Sequence, residues 1–249
     1  MKDNLESQIL NLLKQKQFSR VDELVESLFV SSATVRRKLS LLEEKGLITR
    51  THGGAKINDA NNFYPSFSFR SHQNCMEKKK IALSAIKLIK NGDLIFIDGS
   101  TSAFFIAEYL AEFRDIKVVT NGIDTLSLLS KNKIYAYSTG GIISSANRSV
   151  LVGQIAHNTF SSMHADIAFF SAYSVNKDGD VYDVFEEENY LRQTMMKNSK
   201  KSVLLLDSTK FDAFSPYRLC SIKDVDCVVT NAESKNYFNK DFSNKIITL

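Results

Sequence analysis

Residues 30–39 read VSSATVRRKL and run on without a break through SLLEEKGLITRTHGGA to residue 55. Val35, Leu39 and Leu42 recur at i, i+4 and i+7, the spacing of one apolar stripe on a helix. Ser31 stands before that stripe as an amino-terminal cap, its hydroxyl placed to accept from the backbone amides of the first turn. Taking Val35 as the core direction and turning about 100° per residue puts Ala33, Arg37, Ser40 and Glu44 opposite, with Thr34 and Arg36 on the flanks. The outward face is thus small and hydroxylated at Ser32, Ala33 and Thr34, and basic at Arg36, Arg37 and Lys38. A helix entering the major groove needs this combination: little bulk, and guanidinium groups that grip phosphate or pair with a guanine edge. The acids Glu43 and Glu44 sit at the far end, clear of the DNA.

Two further amphipathic stretches precede this helix. Leu5, Ile9, Leu12 and Leu13 recur at helical spacing, and Val21, Leu24, Val25 and Leu28 fit i, i+3, i+4, i+7. Only LFVS separates the second stretch from the third, the connection length of a helix-turn-helix. On the other side, Gly46 suits a helix terminator. Leu47 to Thr51 and the residues after the HGG turn read as extended, which predicts a two-stranded wing. Arg50, His52 and Lys56 then project toward a phosphate backbone. The plainer alternative is a helical module for protein contacts with a solvated basic face.

The whole chain has 249 residues, 43% hydrophobic and 24% charged, enough for one large domain or two modest ones with their own cores. Its net charge of +4 is uneven: residues 1–57 hold ten Lys/Arg against seven Asp/Glu, or +3, leaving 22 against 21, or +1, for the remainder. The small amino-terminal segment carries most of the excess, a mild pointer to an acidic partner. Cys75, Cys220 and Cys227 are odd in number and form no CxxC pair, so neither a disulfide framework nor a zinc site is expected. No metal or cofactor is called for. No apolar run reaches the ~20 residues of a membrane helix, and MKDNLESQ lacks a signal peptide's apolar segment, so a cytoplasmic protein is expected.

Residues 56–66, KINDANNFYPS, are polar and close on a proline, so 58–74 reads as a connecting segment between a module of residues 1–57 and a domain of residues 75–249. Beyond it, helical patterns at about 76–90, 102–113, 122–130, 147–163 and 186–199 separate the apolar runs LIFID, KVVTN, IYAYSTG, DIAFFSAYS, SVLLLDSTK and CVVTN. Such alternation predicts an α/β domain with a mostly parallel, Rossmann-like sheet. Ligands of these sheets sit beyond the carboxyl ends of the strands. Those ends supply Asp98, Gly99, Ser100, Thr101 and Ser102, then Thr120 and Asn121, then Gly140 and Gly141, and finally Lys210. Free amides and hydroxyls before the helix near Ala103 favour an anion, and a phosphate is the natural occupant. Asp98, Asn121 and Lys210 then address a sugar's hydroxyls or a second anionic group. Each element alone is common in ordinary turns; four on one sheet edge make a candidate site.

The string VSSATVRRKLSLLEEKGLITRTHGGA resembles the amino-terminal signature of the DeoR family of bacterial transcription regulators, usually VSxxTIRRDLxxLxxxGxLxRxHGGA. Lys38 departs from it, standing where the signature has aspartate. SFSFRSHQNCMEKKKIA resembles the family's SFxxR and EKxxIA segments, and DGSTS, TN, GG and DSTKF follow in family order. The resemblance covers nearly the whole chain. It implies a winged helix-turn-helix that binds double-stranded operator DNA. It also implies a sensor domain for a phosphorylated sugar, related in fold to ribose-5-phosphate isomerase and glucosamine-6-phosphate deaminase. Repression of sugar-metabolism genes, relieved by ligand, is the function it implies.

A sugar-phosphate isomerase or deaminase-like enzyme with an appended DNA-binding module is the rival. Its chemistry needs a base beside the carbon next to the carbonyl, but DIAFFSAYS ends in Ser171, Ala172 and Tyr173 with no acid. Asp98 is a possible base, although a carboxylate at this sheet edge more often binds sugar hydroxyls. Glu186, Glu187 and Glu188 read as ligand-orienting or solvated. No catalytic residue is therefore expected, and an isomerase has no use for residues 1–57. One winged module reads only a few base pairs, so a homodimer or homotetramer is expected.

Overall fold

The three apolar stripes of the first forty-five residues are three helices in the computed structural model: α1 (Leu5–Lys16), α2 (Val21–Leu28) and α3 (Ser32–Glu44). Ile9, Leu13, Val21, Leu24, Val35, Leu39 and Leu42 meet in one buried core. Ser31 caps α3, its Oγ accepting from the Thr34 amide at 3.2 Å. At the other end the amides of Gly46 and Leu47 donate back to the carbonyls of Glu43 and Leu42 at 2.7 and 2.9 Å. Gly46 takes φ 67° to close this motif, a value that a Cβ resists.

The wing is three-stranded, not two-stranded. β1 (Phe18–Arg20), β2 (Ile48–Thr51) and β3 (Gly54–Ile57) form an antiparallel sheet in the order β1-β3-β2. Three residues are too few for an alternating pattern to show, which hides β1 from a periodicity reading. The helix α4 (Phe67–His72) falls among residues read as connecting segment. The structure describes residues 5–57, 64–211, 213–231, 237, 238 and 240–248, so positions 58–63 of the expected connection lie outside it. The chain divides into two compact units between Gln73 and Asn74.

In the second unit, the strands are β4 (Leu94–Ile97), β5 (Lys117–Thr120), β6 (Ala136–Ser138), β7 (Ile142–Ile143), β8 (Leu151–Val152) and β9 (Ile167–Ser171). They continue with β10 (Ser174–Val175), β11 (Asp180–Asp183), β12 (Ser202–Leu206), β13 (Tyr217–Ser221), β14 (Cys227–Thr230) and β15 (Ile246–Thr248). Its helices are α5 (Cys75–Ala85), α6 (Thr101–Ala107), α7 (Ile123–Lys131), α8 (Gln154–Ser161) and α9 (Glu186–Lys197). Seven strands form one all-parallel sheet in the order β15-β14-β12-β9-β4-β5-β6.

Both faces of this sheet are covered, which explains the unbroken apolar runs. Ile95, Ile97, Ile167, Phe169, Val203 and Leu205 face Ile81, Phe105, Ile106 and Leu129 of α5, α6 and α7. Phe96, Ala168, Phe170, Leu204 and Leu206 face Ala156, Phe160, Leu191 and Met195 of α8 and α9. The Phe96 and Phe160 rings meet edge to face at 5.0 Å.

The helix expected over 147–163 begins only at Gln154, because 151–152 are β8, paired with β7 in a short hairpin. A small antiparallel sheet, β10-β11-β13, and the edge strand β15 were not foreseen either. From β4 the chain goes to β5 and β6 on one side, and from β9 to β12, β14 and β15 on the other. The strand order therefore reverses between β4 and β9, and a reversal of this kind opens a crevice at the carboxyl ends of its two strands.

Candidate functional site

Each unit holds one candidate site. On α3, Ser32, Ala33, Arg36 and Arg37 are exposed, while Thr34 and Ser40 are half-buried. Arg36 Nε donates to Ser32 Oγ at 3.3 Å. Ser40 Oγ donates to the Arg36 carbonyl at 3.1 Å and accepts from Arg50 Nη1 at 2.9 Å. The Arg50 amide donates to Glu43 Oε1 at 3.0 Å. Arg50 and Ser40 thus brace β2 against α3, and Glu43 takes part in that brace. His52 and Lys56 are exposed on the wing.

Lys38 is placed differently from the expectation. Its Nζ donates to Glu6 Oε1 of α1 at 2.8 Å, and Lys45 Nζ pairs with the other Glu6 oxygen. Hydrogen bonds from Lys38 and then Lys45 hold the Glu6 carboxyl below its ordinary pKa. Lys38 lies about 60° from the buried Val35 stripe, so its stem reaches α1 sooner than solvent. It fastens α3 to α1 instead of adding charge to the outward face.

In the second unit, the loop after β4 packs closely against its neighbours. A Cβ on Gly99 would stand 2.2 Å from Val150 Cγ1, so only glycine lets the loop pass here. Ser100 Oγ caps α6, accepting from the Ala103 amide at 3.2 Å, and Thr101 and Ser102 are buried in its first turn. Thr120 Oγ1 accepts from the Gly122 amide at 3.0 Å. Asn121 Nδ2 donates to the Leu151 carbonyl at 3.1 Å, while its buried Oδ1 has no hydrogen-bond partner among the described residues. Gly140 and Gly141 lie between β6 and β7, next to these loops. Lys210, after β12, holds its ammonium 5.6 Å from the centroid of the Tyr173 ring, which follows β9. The Asp98–Ser102 and Thr120–Asn121 ends adjoin on β4 and β5, whereas Lys210 stands on the opposite side of the β4–β9 reversal.

Asp98 is not open to a ligand in the way the sequence suggests. It is 1% exposed. Its Oδ1 accepts from the Ser100 amide at 3.1 Å and Ser100 Oγ at 2.6 Å. Its Oδ2 accepts from Arg192 Nε at 2.8 Å and the Ser171 amide at 3.4 Å. Four donors fill the lone-pair sites of one carboxylate.

Arg192 also donates to Asp183 Oδ2 at 3.0 Å and to Glu188 Oε2 at 2.9 Å, and Asn147 Nδ2 donates to Glu188 Oε1 at 2.9 Å. Glu188 is accordingly neither solvated nor ligand-facing. Burial works against the charge of Arg192, yet Asp183, Asp98 and Glu188 together raise its pKa well above the usual value. Sequence reasoning missed Arg192, Asp183 and Asn147. One signal was available: Glu188 and Arg192, four apart on α9, share the face of the apolar Leu191 and Met195. Across the sheet, Asp207 Oδ2 is buried without a hydrogen bond among the described residues and lies 4.0 Å from Lys78 Nζ. Glu77 accepts from the amide and hydroxyl of Ser208, at 2.9 Å each, and so pins the following loop.

A helix-turn-helix with a basic outward face, joined in one chain to a parallel α/β unit whose strand order reverses between β4 and β9, is the architecture of a DNA-binding regulator. Residues 6–61 match the DeoR-like helix-turn-helix domain and residues 73–232 the DeoR C terminal sensor domain. The chain is 33% identical to the HTH-type transcriptional regulator GolR of Listeria innocua, covering 95% of this chain and 93% of that one. It is 30% identical to the L-fucose operon activator of Haemophilus influenzae, over 90% and 89% of the two chains. With the lactose phosphotransferase system repressor of Staphylococcus epidermidis it shares 32% identity over 90% of each. Among solved structures, ribose 5-phosphate isomerase A of Methanocaldococcus jannaschii matches 55% of each chain with 18% identity and a TM-score of 0.42. The protein belongs to the DeoR family of transcriptional regulators. Among the described residues no helix is long and apolar enough to cross a membrane.

Proposed function

We propose that the protein is a repressor of sugar-metabolism genes whose operator affinity changes when a phosphorylated sugar occupies the crevice at the carboxyl ends of β4 and β9. The carrying observation is the placement of the Gly99–Ser102 loop at the strand-order reversal, with the Lys210 ammonium on the far side beside Tyr173. Loop amides and hydroxyls suit a phosphate, Lys210 adds a cation, and Asn121 Oδ1, without a partner among the described residues, suits a sugar hydroxyl. Two relatives, a lactose phosphotransferase system repressor and an L-fucose operon activator, support a sugar-linked signal.

The reading head is residues 1–57. Ser32, Ala33, Thr34, Arg36 and Arg37 address the groove, Arg50, His52 and Lys56 address the backbone, and residues 75–249 form the sensor. Two heads on repeated half-sites supply affinity, so the working form is a homodimer or larger, in the cytoplasm.

The enzymatic alternative needs a free base at the crevice. Asp98, the acid best placed for it, is already occupied by four protein donors. A thermal-shift screen of sugar phosphates against the matching unphosphorylated sugars, with a parallel assay for turnover, tests this reading. A ligand at about 100 times its Kd adds about 2.7 kcal/mol of stability. A clear upward shift is expected from a phosphorylated sugar alone. Equal shifts from the neutral sugars, or turnover that depends on Asp98, would overturn the assignment.

A further inference from the structure

Arg192 links the loop after β4 to β11 and to its own helix α9, and its setting is unusual for a structural residue. It is 4% exposed, and its three guanidinium nitrogens each donate to a different carboxylate: Asp98 after β4, Asp183 on β11 and Glu188 on α9. One positive charge thus faces three acids. Apolar side chains of similar volume fill such a space without the desolvation cost, so stability alone does not account for the cluster. Geometry does.

Through Asp98, the guanidinium is two hydrogen bonds from Ser100, which caps α6 at the start of the effector loop. Through Glu188 it reaches Asn147, whose amide donates to Ser144 Oγ and whose carbonyl accepts from Val150 at 3.2 Å. Val150 is the residue packed over Gly99. Both walls of the Gly99–Ser102 loop are therefore held from one guanidinium, whose planar fork fixes three directions at once.

We propose that Arg192 is the positioning residue of the effector site, holding the Asp98–Ser102 loop in its anion-accepting shape through Asp98 and the Asn147–Val150 segment through Glu188. The inference rests on the reading of that loop as an anion site. A lysine at 192 keeps the charge but presents a single ammonium, which cannot serve all three carboxylates in the same directions.

The test uses inorganic phosphate as the probe, calorimetry on the full-length chain, and amide exchange over residues 98–107 without ligand. Arg192→Lys is expected to weaken phosphate binding by about tenfold, the scale on which loss of an orienting partner loosens a held site, and to speed exchange in 98–107. Met195→Ala, a buried cavity change on the same helix that leaves the cluster intact, controls for lost stability and is expected to change affinity by less than about twofold. Asp98→Asn serves if Arg192→Lys does not fold, and it reads with opposite sign under the two accounts. Removing an acid beside an anion site tightens binding if the effect is electrostatic, and weakens it by about tenfold if Asp98 transmits position. Equal losses in Arg192→Lys and Met195→Ala, or tighter binding in Asp98→Asn, would overturn the inference while leaving the anion site in place. No phosphate binding by the unaltered chain would overturn the anion site and the inference with it.

Discussion

Arg37 and Arg192 are the same side chain on helices of similar length, 13 residues for α3 and 12 for α9, in opposite settings. Arg37 is exposed on a face that it shares with the small Ala33 and Ser40. Arg192 is buried and spent on three carboxylates of its own chain. Among the described residues the first side chain has no hydrogen-bond or ion-pair partner, and the second has three. The same contrast separates the two units. The helix-turn-helix keeps Arg36 and Arg37 at the surface, whereas the second unit pairs the strand-end acid Asp98 internally with Arg192.

The largest effect that tests this contrast is on stability. Arg192→Met leaves three buried acids without their cation and is expected to cost about 3–5 kcal/mol, read by denaturant unfolding of the full chain. A loss below about 1 kcal/mol would mean that the cluster is easily rehydrated. Arg37→Ala makes the opposite case: unchanged unfolding, but operator affinity lower by about 1–3 kcal/mol if it reads a base, or a salt slope smaller by about one if it holds a phosphate. The duplex for this measurement is one selected from a random pool with the unaltered chain.

A smaller effect is expected at Glu6. Its folded-state pKa is lowered by Lys38 and Lys45, so its contribution is present above the unfolded carboxyl value of 4.5 and is lost as pH falls through the folded one. Glu6→Gln should lose no more than about 1 kcal/mol at pH 7, since the pair is partly exposed. The difference from the unaltered chain should shrink as the pH drops below 4.5. A difference constant with pH would mean that the ion pairs do not fasten α1 to α3.

The smallest change concerns thiols. Burial pushes Cys220 up to about 12 and Cys227 to about 11, so both should resist alkylation in the native state, leaving half-buried Cys75 to react first.

How far the sequence could be read follows from how local each determinant is. Val35, Leu39, Leu42, Ser31 and Gly46 fix α3 within sixteen residues of chain, and the structure keeps that helix, its cap and its terminator. The parallel strands were legible because burial on both faces makes them continuous apolar runs. What failed was either short or distant. β1 has three residues and β8 two, too few to carry a period, and the apolar Val150 to Ala156 run mixes a strand with the start of α8. Lys38 finds Glu6 at a separation of 32 residues, and Arg192 finds Asp98 at 94. Nothing in the neighbourhood of either residue announces its partner. Position along the strands was legible for the candidate effector residues, while the partners that occupy Asp98 were invisible until the fold brought them together.

The most direct measurement is the operator affinity of the unaltered chain, Arg37→Ala and Lys210→Ala, each with and without the sugar phosphate that gives the largest thermal shift. Coupling between two sites is typically about 1–3 kcal/mol, so the ligand should move the affinity of the unaltered chain by roughly 5- to 150-fold. The account predicts that Lys210→Ala binds DNA as the unaltered chain does but no longer responds, and that Arg37→Ala binds weakly yet still responds. Full ligand response in Lys210→Ala, or undiminished DNA binding in Arg37→Ala, would contradict it.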